Sequence, residues 1–98
     1  MGQEAPRVCT DEMDIERLVR LIASLPAHGR VALHMRDGTT VEGVVAVRSS
    51  AQVFRDPQQR EGTNAVVSLE RLAGQVERIW LDQVERVQNL DPALATEN

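Results

Sequence analysis

The chain has 98 residues, of which 42% are hydrophobic and 27% charged, and its net charge is −4, so we expect one soluble domain with a single modest core. No apolar run approaches the roughly 20 residues needed to cross a bilayer, and the polar N-terminus is unlike a signal peptide, which together predict a cytoplasmic protein with no membrane partner. A single cysteine, Cys9, excludes an intramolecular disulfide, and two aromatic residues, Phe54 and Trp80, are too few for an aromatic cage or an extended base-stacking surface.

The N-terminal part is predicted to be a disordered arm over residues 1–10 and a helix over 11–25. Apolar side chains recur from Asp11 onwards at the spacing of one helix face. The residues on this stripe are Ile15, Leu18, Val19, Ile22 and Leu25. Acidic residues occupy the first turn, where the helix dipole favours negative charge, and Pro26 ends the pattern.

Two strands, 30–36 and 39–48, follow the helix and form the centre of the predicted sheet. Apolar and polar residues alternate along both, which is typical of half-buried strands. Gly43 lies inside the second strand, where a glycine lowers stability and marks a bend or the close approach of another segment. Such a bend suits a small, strongly curved sheet.

The turn between these strands contains an Asp-Gly pair that ends at Gly38, and this pair is typical of a two-residue hairpin turn. That turn would place Leu33 opposite Glu42 and split the apolar faces. A three-residue loop, 36–38, instead pairs Leu33 with Val41. Because a slip of one residue moves every side chain to the other face, the apolar pattern favours the longer loop, with Gly38 in the left-handed conformation of a G1 bulge.

The second half of the chain contains three further strands and a tail. The third strand is either 52–55 or 64–70, and both alternatives stay open because both segments have strand character. The fourth and fifth strands are predicted at 75–81 and 84–88. Residues 91–98 are expected to be a flexible tail.

The fourth predicted strand carries apolar residues on the face that points away from the core. Trp80 and Val76 point away from the side on which Ile79 returns to the core, and Val44 is a further apolar residue that the core does not require. A covered second face, a subunit contact and a partner site all fit this pattern. Val44, Val76 and Trp80 are therefore candidates for an interaction surface.

These elements predict a mainly β fold, with an N-terminal α-helix followed by a small, strongly bent five-stranded antiparallel barrel of the SH3-like kind. The single domain is expected to cover residues 11–90. His28 and His34 do not belong to a recognisable nucleophile, metal or acid–base constellation. We therefore expect no enzyme, no catalytic or metal-binding residue and no cofactor.

The hairpin from Leu33 to Val44 resembles the first motif of Sm-like proteins, in which one strand ends in a glycine turn and the next carries a bend glycine. Gly38 and Gly43 occupy these two positions. The order of helix and strands is also similar, and the whole chain resembles a small bacterial family of uncharacterised proteins with a variant Sm-like barrel. The resemblance covers residues 11–88 and implies a bent barrel, RNA as a ligand, and a homo-oligomer such as a ring that forms through edge strands.

The RNA-binding residues of Sm-like proteins do not carry over to this chain. Their Asp-x-x-Met-Asn segment is replaced by residues 48–52, and their cation between the last two strands is replaced by Asp82, which has the wrong charge for a phosphate contact. Arg48, Gln52 and Arg55 are RNA-contact candidates, because they lie near the loop that would face the pore of a ring. Weak RNA binding is one predicted function, and a protein-interaction or self-assembly module without nucleic-acid binding is the alternative.

Overall fold

The structure is a computed structural model that describes residues 3–47 and 49–90. It is mainly β with one N-terminal helix, as predicted. The elements in chain order are β1 (Gln3–Glu4), α1 (Glu12–Ser24), β2 (Arg30–Met35), β3 (Thr40–Val47), β4 (Gln52–Arg55), β5 (Glu61–Asn64), β6 (Val66–Glu70), β7 (Val76–Trp80), a 3-10 turn (Leu81–Gln83) and β8 (Val84–Asn89).

The main sheet has five strands in the order β7-β6-β3-β2-β8, and all neighbours are antiparallel. Both alternatives for the third strand are strands, but only β6 joins this sheet. The closed five-stranded barrel predicted from the sequence is not seen, since the ladders of the described residues leave β7 and β8 as two open edges. The 3-10 turn connects these two edge strands along the chain. The N–H of its first residue, Leu81, donates to the carbonyl of Ala65 at 2.8 Å.

A second sheet of three strands, in the order β1-β4-β5, includes part of the N-terminal arm. β1 pairs in parallel with β4, Ala5 is buried, and Cys9 forms an antiparallel bridge with Thr63. The prediction of a disordered arm is therefore wrong from Gln3 onwards, because β4 and β5 supply backbone partners that no local pattern reveals. The first two residues, Arg48 and the predicted tail at 91–98 lie outside the described residues.

The register of the central hairpin is confirmed. Leu33 pairs with Val41, and Gly38 has φ of +94°, the left-handed conformation that the bulge requires. The N–H of Gly38 donates to the Met35 carbonyl at 3.0 Å, and the N–H of Met35 donates to the Thr39 carbonyl at 2.8 Å. These two hydrogen bonds close the three-residue loop.

Gly43 lies where β3 meets β6 at very short range. A methyl group at this position would lie 2.9 Å from the carbonyl oxygen of Glu70 and 3.2 Å from Cβ of Leu69. The first distance is shorter than van der Waals contact allows, and the atom concerned belongs to the backbone. Of the two alternatives given for this glycine, the close approach is therefore observed, and the bend stays a prediction.

The core lies between one face of the main sheet and the apolar stripe of α1. Its fully or nearly buried members are Leu18, Leu21, Leu25, Val31, Leu33, Val45, Ala65, Val67, Leu69, Ile79, Leu81 and Val84. Val19, which the sequence places on the stripe, is 51% exposed, because it lies at the margin of that helix face. The guanidinium of Arg17 donates to the Val84 carbonyl at 2.8 Å and so fixes α1 beside β8.

Candidate interaction surfaces

The predicted RNA-contact residues do not form one surface in the described structure. Gln52 and Arg55 project from opposite faces of β4, because side chains alternate along a strand. Arg55 is also paired with Glu61, at 2.8 Å between guanidinium and carboxylate. Arg48, the third candidate, lies outside the described residues.

Trp80 is covered by the second sheet. Its ring makes an edge-to-face contact with the buried Phe54 of β4, with 5.2 Å between ring centroids and 82° between ring planes. The three-stranded sheet therefore covers part of the tryptophan, which is half-buried, and its use as a contact for a subunit or a partner stays a prediction.

Val44 and Val76 share one row of the outer face. Both lie opposite Glu70, Val44 on β3 and Val76 on β7, so the row crosses three neighbouring strands. Val76 is 60% exposed, whereas Val44 is half-buried. The structure thus groups these two valines with each other but separates them from Trp80, which lies at the opposite end of β7.

The two edge strands of the main sheet carry the same short sequence. Gln-Val-Glu-Arg followed by an aliphatic residue occurs at Gln75–Ile79 on β7 and again at Gln83–Val87 on β8. β7 has a ladder only with β6, and β8 only with β2, in the described structure. The repeat can be seen in the sequence, where it recurs eight positions later. It indicates an interaction surface only once both copies are known to lie on edge strands.

A cleft of about 470 Å³ lies where the N-terminal arm, α1 and the β4–β5 loop meet. Four arginines from four parts of the fold line it: Arg7, Arg17, Arg36 and Arg60. We call this site the arginine cleft. It was missed in the sequence because its arginines lie far apart along the chain, on elements that show no common pattern.

Asp82 fixes one wall of the arginine cleft. Its side chain is 9% exposed and accepts hydrogen bonds from Arg7 Nε at 2.6 Å, Gln83 Nε2 at 3.0 Å and Asn64 Nδ2 at 3.1 Å. Burial alone would raise the pKa of Asp82, but these donors outweigh it and hold the pKa below its usual value. The carboxylate that replaces the family's cation thus recruits an arginine from the arm.

Asp56 fixes the opposite wall. Its carboxylate is 5% exposed and accepts from the backbone N–H groups of Gln58 and Arg60, both at 2.9 Å, and from Arg60 Nε at 3.0 Å. The backbone hydrogen bond from Arg60 is the main reason that the pKa of Asp56 is lowered. Each wall therefore holds one arginine through its Nε atom.

Cys9 also lines the cleft, as a free and half-buried thiol. Burial and the negative charges of Asp82 and Asp14 raise its pKa, while Arg36 and Arg17 oppose this rise. Because the thiolate is the reactive form, the shift disfavours a nucleophilic role at neutral pH. Among the described residues, no three His, Cys, Asp or Glu side chains come together as a metal-binding group.

Comparisons with known proteins agree with the Sm-like resemblance. A family model described as a domain of unknown function, DUF3247, matches residues 2–90. The crystal structure of XC5848 from Xanthomonas campestris, described as a novel variant of the Sm-like motif, is 33% identical, with a TM-score of 0.84 over 90% of this chain and 97% of that chain. No curated protein matches the chain. In the described ranges, no helix is long and apolar enough to cross a membrane.

Proposed function

We propose, from the premise that this chain belongs to the DUF3247 family and has an Sm-like fold, that it is a self-assembling module. Its subunits associate through β7 of one copy and β8 of the next. The observation that carries this proposal is the repeat of Gln-Val-Glu-Arg-aliphatic on the two open edges of the main sheet. Unpaired edge strands expose backbone donors and acceptors that a second copy can satisfy.

The charges of the repeat favour one relative direction of the paired strands. In an antiparallel pair, Arg78 can lie opposite Glu85 of the neighbour. Glu85 is an extra residue in the ladder between β8 and β2, and this bulge turns Arg86 away from the face that carries Glu77, so the register makes one charge pair. Opposite charges across two strands contribute about 0.2–1 kcal/mol per pair, and like charges cost a similar amount. A parallel pair with the repeats in register would instead bring Glu beside Glu and Arg beside Arg.

The same antiparallel register also matches the apolar residues. It places Ile79 opposite Val84 of the neighbour, and both side chains face the core of their own subunit, with 6% and 0% exposure. The core faces of two subunits would then meet at this pair of residues. The two edges that stay open within one chain are then paired between subunits.

An interface between two different edges is head-to-tail, so it generates a closed ring or an open filament. Arg17 already covers the first carbonyl groups of β8, at Val84 and Glu85. Because the register places these two residues opposite Ile79 and Arg78, the neighbour's β7 must displace the Arg17 guanidinium or bond to the backbone groups of β8 that it leaves open.

RNA binding through Arg48, Gln52 and Arg55 stays a prediction with less support. The two described members lie on opposite faces of β4, and one of them is engaged by Glu61. No contact among the described residues brings Gln52 and Arg55 to one surface.

Light scattering after gel filtration tests the assembly. We expect the full chain to have a multiple of the monomer mass, and Arg78→Glu and Glu85→Arg each to reduce it, because either change places like charges together. Both side chains are exposed, so the monomer should still fold. Glu42→Arg is the matched control, since Glu42 is exposed on the inner strand β3.

The double variant Arg78→Glu/Glu85→Arg separates the head-to-tail interface from a symmetric one. It restores opposite charges between β7 and β8 and should recover the assembly. In a symmetric β7–β7 pair the second change would not compensate for the first, so failure of the double variant to recover contradicts the proposed register. A parent chain that is strictly monomeric contradicts the function itself.

A further inference from the structure

We infer that the arginine cleft is a binding site for a phosphate ester. This inference does not depend on self-assembly, because the four arginines of the cleft come from the arm, α1, the hairpin turn and the β4–β5 loop rather than from the sheet edges. The volume of about 470 Å³ lies within the range of roughly 300–1,000 Å³ that is typical of small-ligand sites.

The first reason is the way in which two guanidinium groups are held. Arg7 and Arg60 each bind an aspartate through Nε, at 2.6 and 3.0 Å. An arginine carries five N–H donors, four of them on its two Nη atoms. In the described part of the chain, no hydrogen bond engages the Nη atoms of either residue, so both keep the donors that suit an oxyanion.

The second reason is that the anchors are rigid. Asp82 and Asp56 are 9% and 5% exposed, and each accepts three hydrogen bonds. Asn64, which is fully buried, additionally donates to the backbone carbonyl of Arg7 at 2.8 Å and ties the arm to β5. Side chains ordered before binding lose less conformational entropy when the ligand arrives.

The third reason is the positive charge on the remaining sides of the cleft. Arg36 is exposed, and no described hydrogen bond or ion pair involves its guanidinium. The lining has four arginines against three aspartates, although the whole chain has a net charge of −4.

The number and arrangement of these donors favour a phosphate over a carboxylate. Guanidinium groups bind both anions in a forked geometry, but a phosphate monoester presents three terminal oxygens and a second negative charge that several arginines can share. Apolar side chains of Pro6, Val8 and Pro57 also line the cleft. They provide a surface for the organic part of the ester, which is why we infer an ester rather than the inorganic ion alone.

Isothermal titration calorimetry with the full chain at low salt tests the site. The probe is adenosine monophosphate, with adenosine as the uncharged match, and we expect only the monophosphate to bind. Arg36→Gln and Arg60→Gln should each weaken binding about tenfold or more, since a lost hydrogen bond to a charged group is worth about 1.5–3 kcal/mol. Arg20→Gln, at an exposed position of α1 outside the cleft, should leave binding unchanged.

A 5′-phosphorylated oligoribonucleotide and its unphosphorylated match identify the source of the ester. Binding of the monophosphate alone assigns the site to a small phosphorylated molecule, and binding of the phosphorylated oligonucleotide in the same cleft assigns it to a nucleic-acid end. The inference is overturned if neither phosphate compound binds, or if Arg20→Gln weakens binding as much as the two cleft variants do. Unfolding curves of each variant separate lost binding from lost structure.

Discussion

Replacing Asp82 by asparagine removes a charge from the centre of the network that joins the arm to the main sheet. The asparagine keeps one acceptor oxygen, which can still accept from Asn64, but it places an NH2 group at the Oδ2 position, where Gln83 and Arg7 both donate. A hydrogen bond to a charged group is worth about 1.5–3 kcal/mol. Arg7 is 49% exposed, so solvent screening weakens the pair.

We therefore expect Asp82→Asn to lower the free energy of unfolding by about 1–2 kcal/mol at pH 7. For a domain of this size, each kcal/mol corresponds to a fall in Tm of about 4–8 °C. Urea unfolding and calorimetry measure both quantities. Glu16→Gln removes the same charge at an exposed position of α1 and should stay within about 0.5 kcal/mol of the parent.

The pH dependence gives this prediction a second readout. The pKa of Asp82 is lower in the folded chain than its usual value, so its contribution is complete above the unfolded pKa of about 3.9 and is lost as the pH falls through the folded pKa. The gap between parent and Asp82→Asn should therefore shrink below about pH 4. Equal stability at pH 7, or a gap that does not shrink in acid, would refute the role given to this carboxylate.

Three further substitutions test other contacts. Gly43→Ala should cost about 1–3 kcal/mol in urea unfolding, because overpacking against a backbone carbonyl cannot relax easily, and unchanged stability would contradict the close approach. Gly62→Ala places a methyl group 2.8 Å from the carbonyl oxygen of Cys9, so we expect the arm to be displaced and the thiol to react faster with a disulfide reagent at pH 8; an unchanged rate would show that the arm does not need this contact. Phe54→Ala uncovers Trp80 and should shift its fluorescence to longer wavelength, and an unshifted spectrum would contradict the covered face.

The central hairpin could be predicted from sequence because its register depends on neighbouring residues alone. Leu33 and Val41 lie close together in the chain, and alternation of apolar side chains allows one pairing only. The choice between β4 and β6 as the third strand could not be made in this way. Both segments form strands, and only contacts with distant partners decide which sheet each of them joins.

The arm and the arginine cleft could not be predicted from the sequence at all. β1 contains two residues and pairs with β4 about fifty positions later. A segment this short has no alternating pattern from which a strand could be predicted. Arg7, Arg36 and Arg60 are brought together by that pairing and by the hairpin turn, and each is unremarkable in its own segment. The Gln-Val-Glu-Arg repeat differs, because it is visible in the sequence but has no meaning until both copies are placed on edges.

The link from Arg7 to Asp82 joins residues 75 positions apart, whereas the central hairpin closes over a three-residue loop. Closing a long loop costs more chain entropy than closing a short one, and contacts between distant residues slow folding. The hairpin is thus suited to nucleate folding and the arm to dock late. In the folded state this order implies a local opening equilibrium, in which the amide hydrogens of Ala5 and Cys9 exchange with solvent sooner than that of Leu33.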